Sequence, residues 1–193
     1  MAAAGDIDGD GYQDMFVAKS VTNSPDENFI IYGKSGTWAV PTLESSDVDG
    51  NKPAVTEIVP ESGFVLNGAF SSLGDINGDG FDDLLISAYG DLTGNDEPND
   101  FTLKDNGGLY VVFGAADRWS NTDLSLANLA AESRGFLITG GVDFDYAGQT
   151  SWTGVGDMNG DGLEDFIFQA PGDDEAENTG STTNGSSYLI FGS

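Results

Sequence analysis

Short apolar runs separated by polar, glycine-rich stretches recur along the whole chain. The runs are rich in Val, Ile, Phe and Tyr and are bounded by Gly, Asn, Asp or Ser, as at residues 29–33 and 110–114. β-Branched and aromatic residues between turn-forming residues are typical of short strands. Only residues 123–132 favour a turn or two of helix, in a connection. The pattern therefore predicts an all-β chain.

Three copies of one unit account for most of this pattern. Each copy has an acidic loop, an apolar strand directly after it, a polar stretch, and a second apolar run that ends in an aromatic residue and Gly. The loops begin at residues 6, 75 and 157, so they are 69 and 82 residues apart. Repeats of about four short strands fit the blades of a β-propeller. We therefore predict blades of four antiparallel strands.

The repeats predict a single propeller region, residues 1–193, with approximate repeats 1–62, 63–134 and 135–193. Because propellers typically have four to eight blades, three blades would be part of a longer propeller or half of an assembly. A similar Gly-Phe segment precedes the second and third loops, at residues 63–68 and 135–140. Little chain separates the first of these segments from its loop, so we expect a short first strand in the second blade.

Each acidic loop carries oxygen-bearing side chains at positions 1, 3, 5 and 9, counted from its first Asp. Position 7 would offer its backbone carbonyl, and glycine at position 6 lets the chain turn sharply around an ion. This spacing suits a hard cation with six to eight oxygen ligands. The predicted ligands are Asp6, Asp8, Asp10, Tyr12 and Asp14 in the first loop, Asp75, Asn77, Asp79, Phe81 and Asp83 in the second, and Asp157, Asn159, Asp161, Leu163 and Asp165 in the third.

The predicted cation is calcium, with about three ions per chain. Magnesium prefers a tighter octahedron that keeps waters, whereas calcium accepts a large and flexible set of oxygens. The alternative is three Asp-Gly turns without an ion, but converging carboxylates would then repel one another. The loops are not EF-hands, because position 12 holds Val17, Ile86 or Phe168 in place of the required Glu.

Charge and composition exclude several classes of function. The chain has 33 acidic and six basic residues, a formal net charge of -27, which disfavours nucleic acids and anionic membrane surfaces. With no Cys and no His, it lacks thiol chemistry and the usual general base. No apolar run approaches the roughly 20 residues of a membrane span. We expect no catalytic site and no membrane insertion, and any secretion signal would lie outside these residues.

The repeated combination resembles the FG-GAP repeats of integrin α-subunit propellers and of large bacterial surface proteins. It consists of Gly-Phe-x-x-x-Gly, then Gly-Asp-x-Asn-Gly-Asp-Gly-x-x-Asp, then an aromatic and apolar run that ends in Phe-Gly, and it covers nearly the whole chain. The resemblance implies a calcium loop between the first and second strands of each blade. It also implies an extracellular or cell-surface location and a role in adhesion.

Three functions remain open at the level of sequence. The first is a structural and adhesive module that presents a surface to a protein or glycan. The second is the propeller domain of a polysaccharide-active enzyme, since such enzymes can use paired carboxylates alone. The third is a structural subunit that self-associates through open blade edges. Two long acidic loops, residues 91–105 and 172–178, are candidates for ligand or extra cation binding.

Overall fold

The computed structural model describes residues 2–19, 27–36, 48–49, 52–62, 64–90, 106–121, 123–141, 145–173 and 185–193. The described residues form β-strands and two 3₁₀ turns, with no α-helix among them. The predicted all-β class is thereby confirmed. The acidic loop at residues 91–105 lies outside the described residues, as do residues 174–178 of the other long loop. No described helix is long and apolar enough to cross a membrane.

The strands are short and follow the apolar runs of the sequence. In chain order they are β1 (Ala2–Gly5), β2 (Asp14–Lys19), β3 (Glu27–Ile31), β4 (Val48–Asp49), β5 (Lys52–Pro53), β6 (Val55–Val59), β7 (Phe64–Gly74), β8 (Asp83–Gly90), β9 (Gly108–Val112), β10 (Leu124–Ser125), β11 (Gly135–Thr139), β12 (Trp152–Gly156), β13 (Asp165–Ala170) and β14 (Ser186–Ile190). The 3₁₀ turns are Arg118–Asn121 and Leu126–Asn128. The helix expected at residues 123–132 is only the second of these turns, which follows β10.

Three sheets correspond to the three predicted blades. The first has the strand order β1-β2-β3-β6-β10, the second β7-β8-β9-β11 and the third β12-β13-β14, while β4 and β5 form a separate hairpin. All pairings are antiparallel except that of β10 with β6. The predicted four-stranded antiparallel blade is therefore present in the second sheet and in the first four strands of the first sheet.

The sheets are offset from the sequence repeats, because a strand at the start of one repeat completes the previous sheet. β11 pairs with β9 and is the outer strand of the second blade. The similar segment at residues 63–68 instead opens β7, which pairs with β8 and continues past an irregularity between Leu66 and Phe70. The prediction of a short first strand in the second blade is therefore wrong, since β7 has 11 residues.

Apolar side chains fill the spaces between neighbouring blades. β7 packs against both β1 and β12, so the first strands of the three blades are neighbours. Successive residues of a strand face opposite sides of its sheet. Leu84 and Ile86 accordingly belong to a cluster with Phe16 and Ile30 of the first blade, whereas Leu85 belongs to a second cluster shared with the third blade. The second blade is covered on both faces.

Candidate metal centres

Each acidic loop joins the first strand of its blade to the second. The loops lie between β1 and β2, between β7 and β8, and between β12 and β13, and position 9 is in every case the first residue of the second strand. Glycines at positions 4 and 6 have left-handed backbones, with φ of +77° at Gly78 and +89° at Gly80. Because residues with an L side chain rarely adopt such angles, glycine at these positions allows the chain to form the tight loops.

The carboxylate at position 1 organises the loop from within. One oxygen of Asp75 accepts the N–H groups of Gly78 and Asp79, at 2.7 and 3.2 Å, and its other oxygen accepts the N–H of Gly80 at 2.9 Å. Asp157 repeats these bonds at 2.6, 3.1 and 2.9 Å. The bonds, led by that from Gly162, hold the pKa of Asp157 below its usual value. The loop therefore wraps its backbone amides around a carboxylate that stays ionised.

The side chains at positions 3 and 5 also accept backbone N–H groups of the loop in the second and third loops. The side-chain oxygen of Asn77 accepts the N–H of Asp79 at 2.9 Å, and Asp79 accepts the N–H of Phe81 at 3.0 Å. Asn159 and Asp161 make the corresponding bonds, both at 2.9 Å. Two loops that differ in sequence at several positions thus share one arrangement of oxygens.

The aspartate at position 9 is buried and ties the loop to the third strand. One of its oxygens accepts the N–H of position 2, at 2.8 Å in Asp14, 3.0 Å in Asp83 and 2.8 Å in Asp165. The other accepts the N–H of the glycine two residues beyond the third strand, at 2.7 Å from Gly33, 2.9 Å from Gly114 and 3.0 Å from Gly192. Sequence reasoning assigned these aspartates to metal binding alone. The recurrent glycine after each third strand was the signal for this further role.

Burial makes the charge on two of these aspartates costly. Removal from water raises the pKa of Asp14 and of Asp83 to about 7, and the N–H bonds to each carboxylate offset only part of that effect. The negative charges of Asp8 and Asp10 raise the pKa of Asp14 further, and those of Asp79 and Asp75 do the same to Asp83. A cation beside either carboxylate would favour its ionised form. The loops are thus places where a positive charge would be stabilised.

The first loop differs from the others because an arginine from the second blade reaches into it. Arg118, in the turn after β9, donates from Nε to Asp8 and from Nη2 to Asp10 at 3.0 Å. Its guanidinium carbon lies 4.5 Å from the centre of the Tyr32 ring. Arg118 is 3% exposed and has φ of +49°, a left-handed backbone that is uncommon for a residue with a side chain. Sequence reasoning missed this contact.

The first two loops are also bonded to the next blade. The carbonyls of Asp6 and Ile7 accept the N–H groups of Asp82 and Ala115, at 3.2 and 2.9 Å. In the same way, the carbonyls of Asp75 and Ile76 accept the N–H groups of Glu164 and Ser193, at 3.1 and 2.9 Å. Positions 1 and 2 therefore form part of the junction between blades. A change in the conformation of the loop would also disturb the hydrogen bonds of that junction.

The donor chemistry of the loops fits a hard cation. One oxygen from each of Asp6, Asp8 and Asp14 lies within 4.8 Å of the others, and the predicted side-chain ligands are all oxygens. A carboxylate oxygen that accepts one backbone N–H keeps a second lone pair for an ion. Carboxylates and carbonyls suit calcium or magnesium, whereas transition metals prefer nitrogen or sulfur ligands. Among the described residues, Asp6, Asp8 and Asp14 are the one group of three carboxylates that meets such a distance limit, and the fifteen predicted ligands remain a prediction.

Comparison with known proteins identifies one of the three repeats. The profile of the FG-GAP repeat family matches residues 67–112, which run from within β7, through the second acidic loop and β8, to the end of β9. No curated protein matches the chain significantly. The matched residues hold the loop and the strand pairings that the first and third sheets repeat. Residues 67–112 are therefore identified as an FG-GAP repeat.

Proposed function

We propose that this chain is a calcium-binding, integrin-like propeller module of an extracellular or cell-surface protein, with a structural role in adhesion. The observation that carries this proposal is the position of the loops. Each contains an oxygen-rich cradle, and the first two are hydrogen-bonded through positions 1 and 2 to the following blade. An ion held there would stiffen the loop and the junction together. The bound ion would supply positive charge to carboxylates that otherwise repel one another.

We propose that the chain binds about three calcium ions, one in each acidic loop, and that the three sites differ in affinity. The second and third loops offer the same set of Asp and Asn oxygens with no arginine bonded to them among the described residues. In the first loop, Arg118 already forms ion pairs with Asp8 and Asp10, so calcium has to displace a buried guanidinium. We expect two comparable sites and a weaker third. Affinities of about 0.1 to 1 mM are common in extracellular calcium modules.

The module would act by presenting a rigid surface to a protein or glycan. A formal charge of -27 makes nucleic acid an unsuitable ligand, because affinity for nucleic acid comes mainly from Lys and Arg. We propose no catalytic role, since the patterned carboxylates are those of the loops. Nothing in the geometry of the described residues favours the alternative that this chain is the propeller domain of a polysaccharide-active enzyme.

Calcium binding can be measured loop by loop. Equilibrium dialysis should give about three bound calcium ions in the wild-type chain at saturation. Asp79→Ala and Asp161→Ala should each lose one tight site, because position 5 both ligates and receives the backbone N–H of position 7. Asp123→Ala, which removes an exposed carboxylate from outside the loops, is the matched control and should bind as the wild type does. Equal calcium binding in Asp79→Ala, Asp161→Ala and Asp123→Ala would show that the loops are not the sites.

A further inference from the structure

We infer that the second and third acidic loops are sites of self-modification, at which Asn77 and Asn159 lose their side-chain amides through attack by the nitrogen of the next residue. Each of these asparagines stands at position 3 of its loop and is followed by glycine. Glycine has no side chain to hinder the approach of its backbone nitrogen to the asparagine side chain. The inference concerns a reaction of the chain with itself and does not depend on calcium binding.

The reaction requires only water as a co-reactant. A bond forms between the nitrogen of Gly78 and Cγ of Asn77, and the bond between Cγ and Nδ2 breaks. The proton of the Gly78 N–H leaves with Nδ2 as ammonia, and a cyclic imide remains. Water then opens the ring at either carbonyl. The product is an aspartate, or an isoaspartate in which the backbone runs through the side-chain carbon.

The loop turns the asparagine side chain back over the glycine that attacks it. Oδ1 of Asn77 accepts the N–H of Asp79, two residues further on, at 2.9 Å. Oδ1 of Asn159 accepts the N–H of Asp161 at the same distance. Attack at Cγ places negative charge on Oδ1, and a hydrogen-bond donor already aimed at that oxygen stabilises the charge as it develops. The loop backbone therefore supplies an oxyanion donor.

A carboxylate in each loop is placed to take the proton of the attacking nitrogen. The N–H of Gly78 donates to Oδ1 of Asp75 at 2.7 Å, and the N–H of Gly160 donates to Oδ1 of Asp157 at 2.6 Å. A general base has to lie within hydrogen-bond distance of the proton that it removes. Asp75 and Asp157 meet this requirement, and each can pass the proton to the departing ammonia.

Solvent reaches the reacting residues of both loops. Gly78 and Gly160 are exposed, as is Asn159, and Asn77 is partly exposed. The space that a side chain would occupy at Gly160 is open, and at Gly78 it meets only the end of the Leu163 side chain. Ammonia can therefore leave, and water can reach the ring that the attack forms.

The modification would change the charge balance of the loop. Nδ2 of Asn77 donates to Asp79 at 2.9 Å, and the reaction replaces this donor with an acid. The first loop already has an acid at position 3, Asp8, and there Arg118 forms ion pairs with Asp8 and Asp10. In the modified second loop, two carboxylates would face one another instead. Their repulsion would weaken the loop and strengthen its demand for a cation.

The same dipeptide at Asn106–Gly107 provides a control within the chain. Gly107 has a left-handed backbone, with φ of +71°, like the glycines of the loops. The side-chain oxygen of Asn106, however, is buried and has no hydrogen-bond partner among the described residues. The backbone of Ala147 packs closely against Gly107. Asn106 therefore shares the local sequence of the loop sites but lacks the oxyanion donor and the open surroundings.

Peptide mapping by mass spectrometry, on the whole chain kept in EDTA at neutral pH, tests the inference. We expect Asn77 and Asn159 to be converted at least about 10-fold faster than Asn106, since a positioned oxyanion donor is worth that much or more. In urea, where only local sequence acts, the three sites should react at similar rates. Conversion of Asn106 as fast as Asn77 and Asn159 in the folded chain would overturn the inference. So would intact amides at both loop sites.

A variant of one loop tests the assignment of the base, with the other loop as its reference. Asp75→Ala should slow the conversion of Asn77 by at least about 10-fold and leave that of Asn159 unchanged. Asp157→Ala should give the reverse pattern, and circular dichroism checks that each variant is folded. If Asn77 in Asp75→Ala and Asn159 in Asp157→Ala react as fast as in the wild-type chain, the carboxylates are not the bases.

Discussion

Asp83→Ala is expected to lower the free energy of unfolding by about 3 kcal/mol, because it removes a buried carboxylate that satisfies two backbone amides. Both oxygens of Asp83 accept an N–H, one from Ile76 and one from Gly114, and the side chain is fully buried. Each buried N–H left without a partner costs about 1 to 3 kcal/mol. Part of that loss is recovered, since burial raises the pKa of Asp83 to about 7 and its charge is costly.

Urea unfolding in EDTA measures this effect without any contribution from metal binding. Asp83→Asn separates hydrogen bonding from packing. It keeps the shape of the side chain, but an NH2 group replaces one of the two oxygens, so a donor then faces a backbone N–H. We expect Asp83→Asn to show most of the loss. Asp123→Ala, at an exposed position, should change the free energy by no more than about 0.5 kcal/mol. If Asp83→Ala were as mild as Asp123→Ala, the proposed tie between the loop and the third strand would be wrong.

Arg118→Gln is expected to destabilise the metal-free chain by about 3 kcal/mol and to do much less harm in saturating calcium. Without the guanidinium, Asp8 is a buried carboxylate with no positive partner, and breaking a buried ion pair from one side costs about 3 to 5 kcal/mol. A calcium ion in the first loop would restore the missing charge. The variant should therefore bind calcium more tightly at the first loop than the wild-type chain does.

Arg134→Gln is the matched control for this prediction. Arg134 pairs with Asp117 at 2.7 Å, but its side chain is 27% exposed, and its ion pairs among the described residues are with Asp117 and Glu132, outside the metal loops. Exposed ion pairs contribute about 0 to 1 kcal/mol, and this contribution should be the same in EDTA and in calcium. Urea unfolding of both variants under both conditions gives the comparison. Equal destabilisation of Arg118→Gln in EDTA and in calcium would mean that the guanidinium and the ion do not share a site.

The repeats made the local architecture predictable from sequence. The position of each loop between two strands follows from the abrupt change from the Asp-Gly pattern to an apolar run, as at Asp83 and Leu84. The blade assignment follows because three copies show the same order of loop and strands. What repeats along the chain is determined by local turn chemistry and strand alternation, and both can be read from neighbouring residues.

Contacts between blades were not predictable in the same way. Arg118 and Asp8 are 110 residues apart, and nothing in the local sequence around either residue points to the other. The segments at residues 63–68 and 135–140 look alike but form an inner and an outer strand, because pairing partners decide which edge of a sheet a strand occupies. Likewise, Ile7 and Met158 share position 2 but differ in burial, because Ile7 packs in the apolar cluster between the first two blades, whereas Met158 belongs to neither apolar cluster of the described residues.

The central claim is that calcium in the acidic loops stabilises the junctions between blades. Thermal unfolding followed by circular dichroism, in EDTA, calcium and magnesium at equal ionic strength, tests it most directly. With calcium at about ten times the Kd of the weakest site, three sites contribute at least about 4 kcal/mol and should raise Tm by at least about 10 °C. Magnesium should raise it much less. The same Tm in EDTA, calcium and magnesium would contradict the claim and leave the loops as turns without an ion.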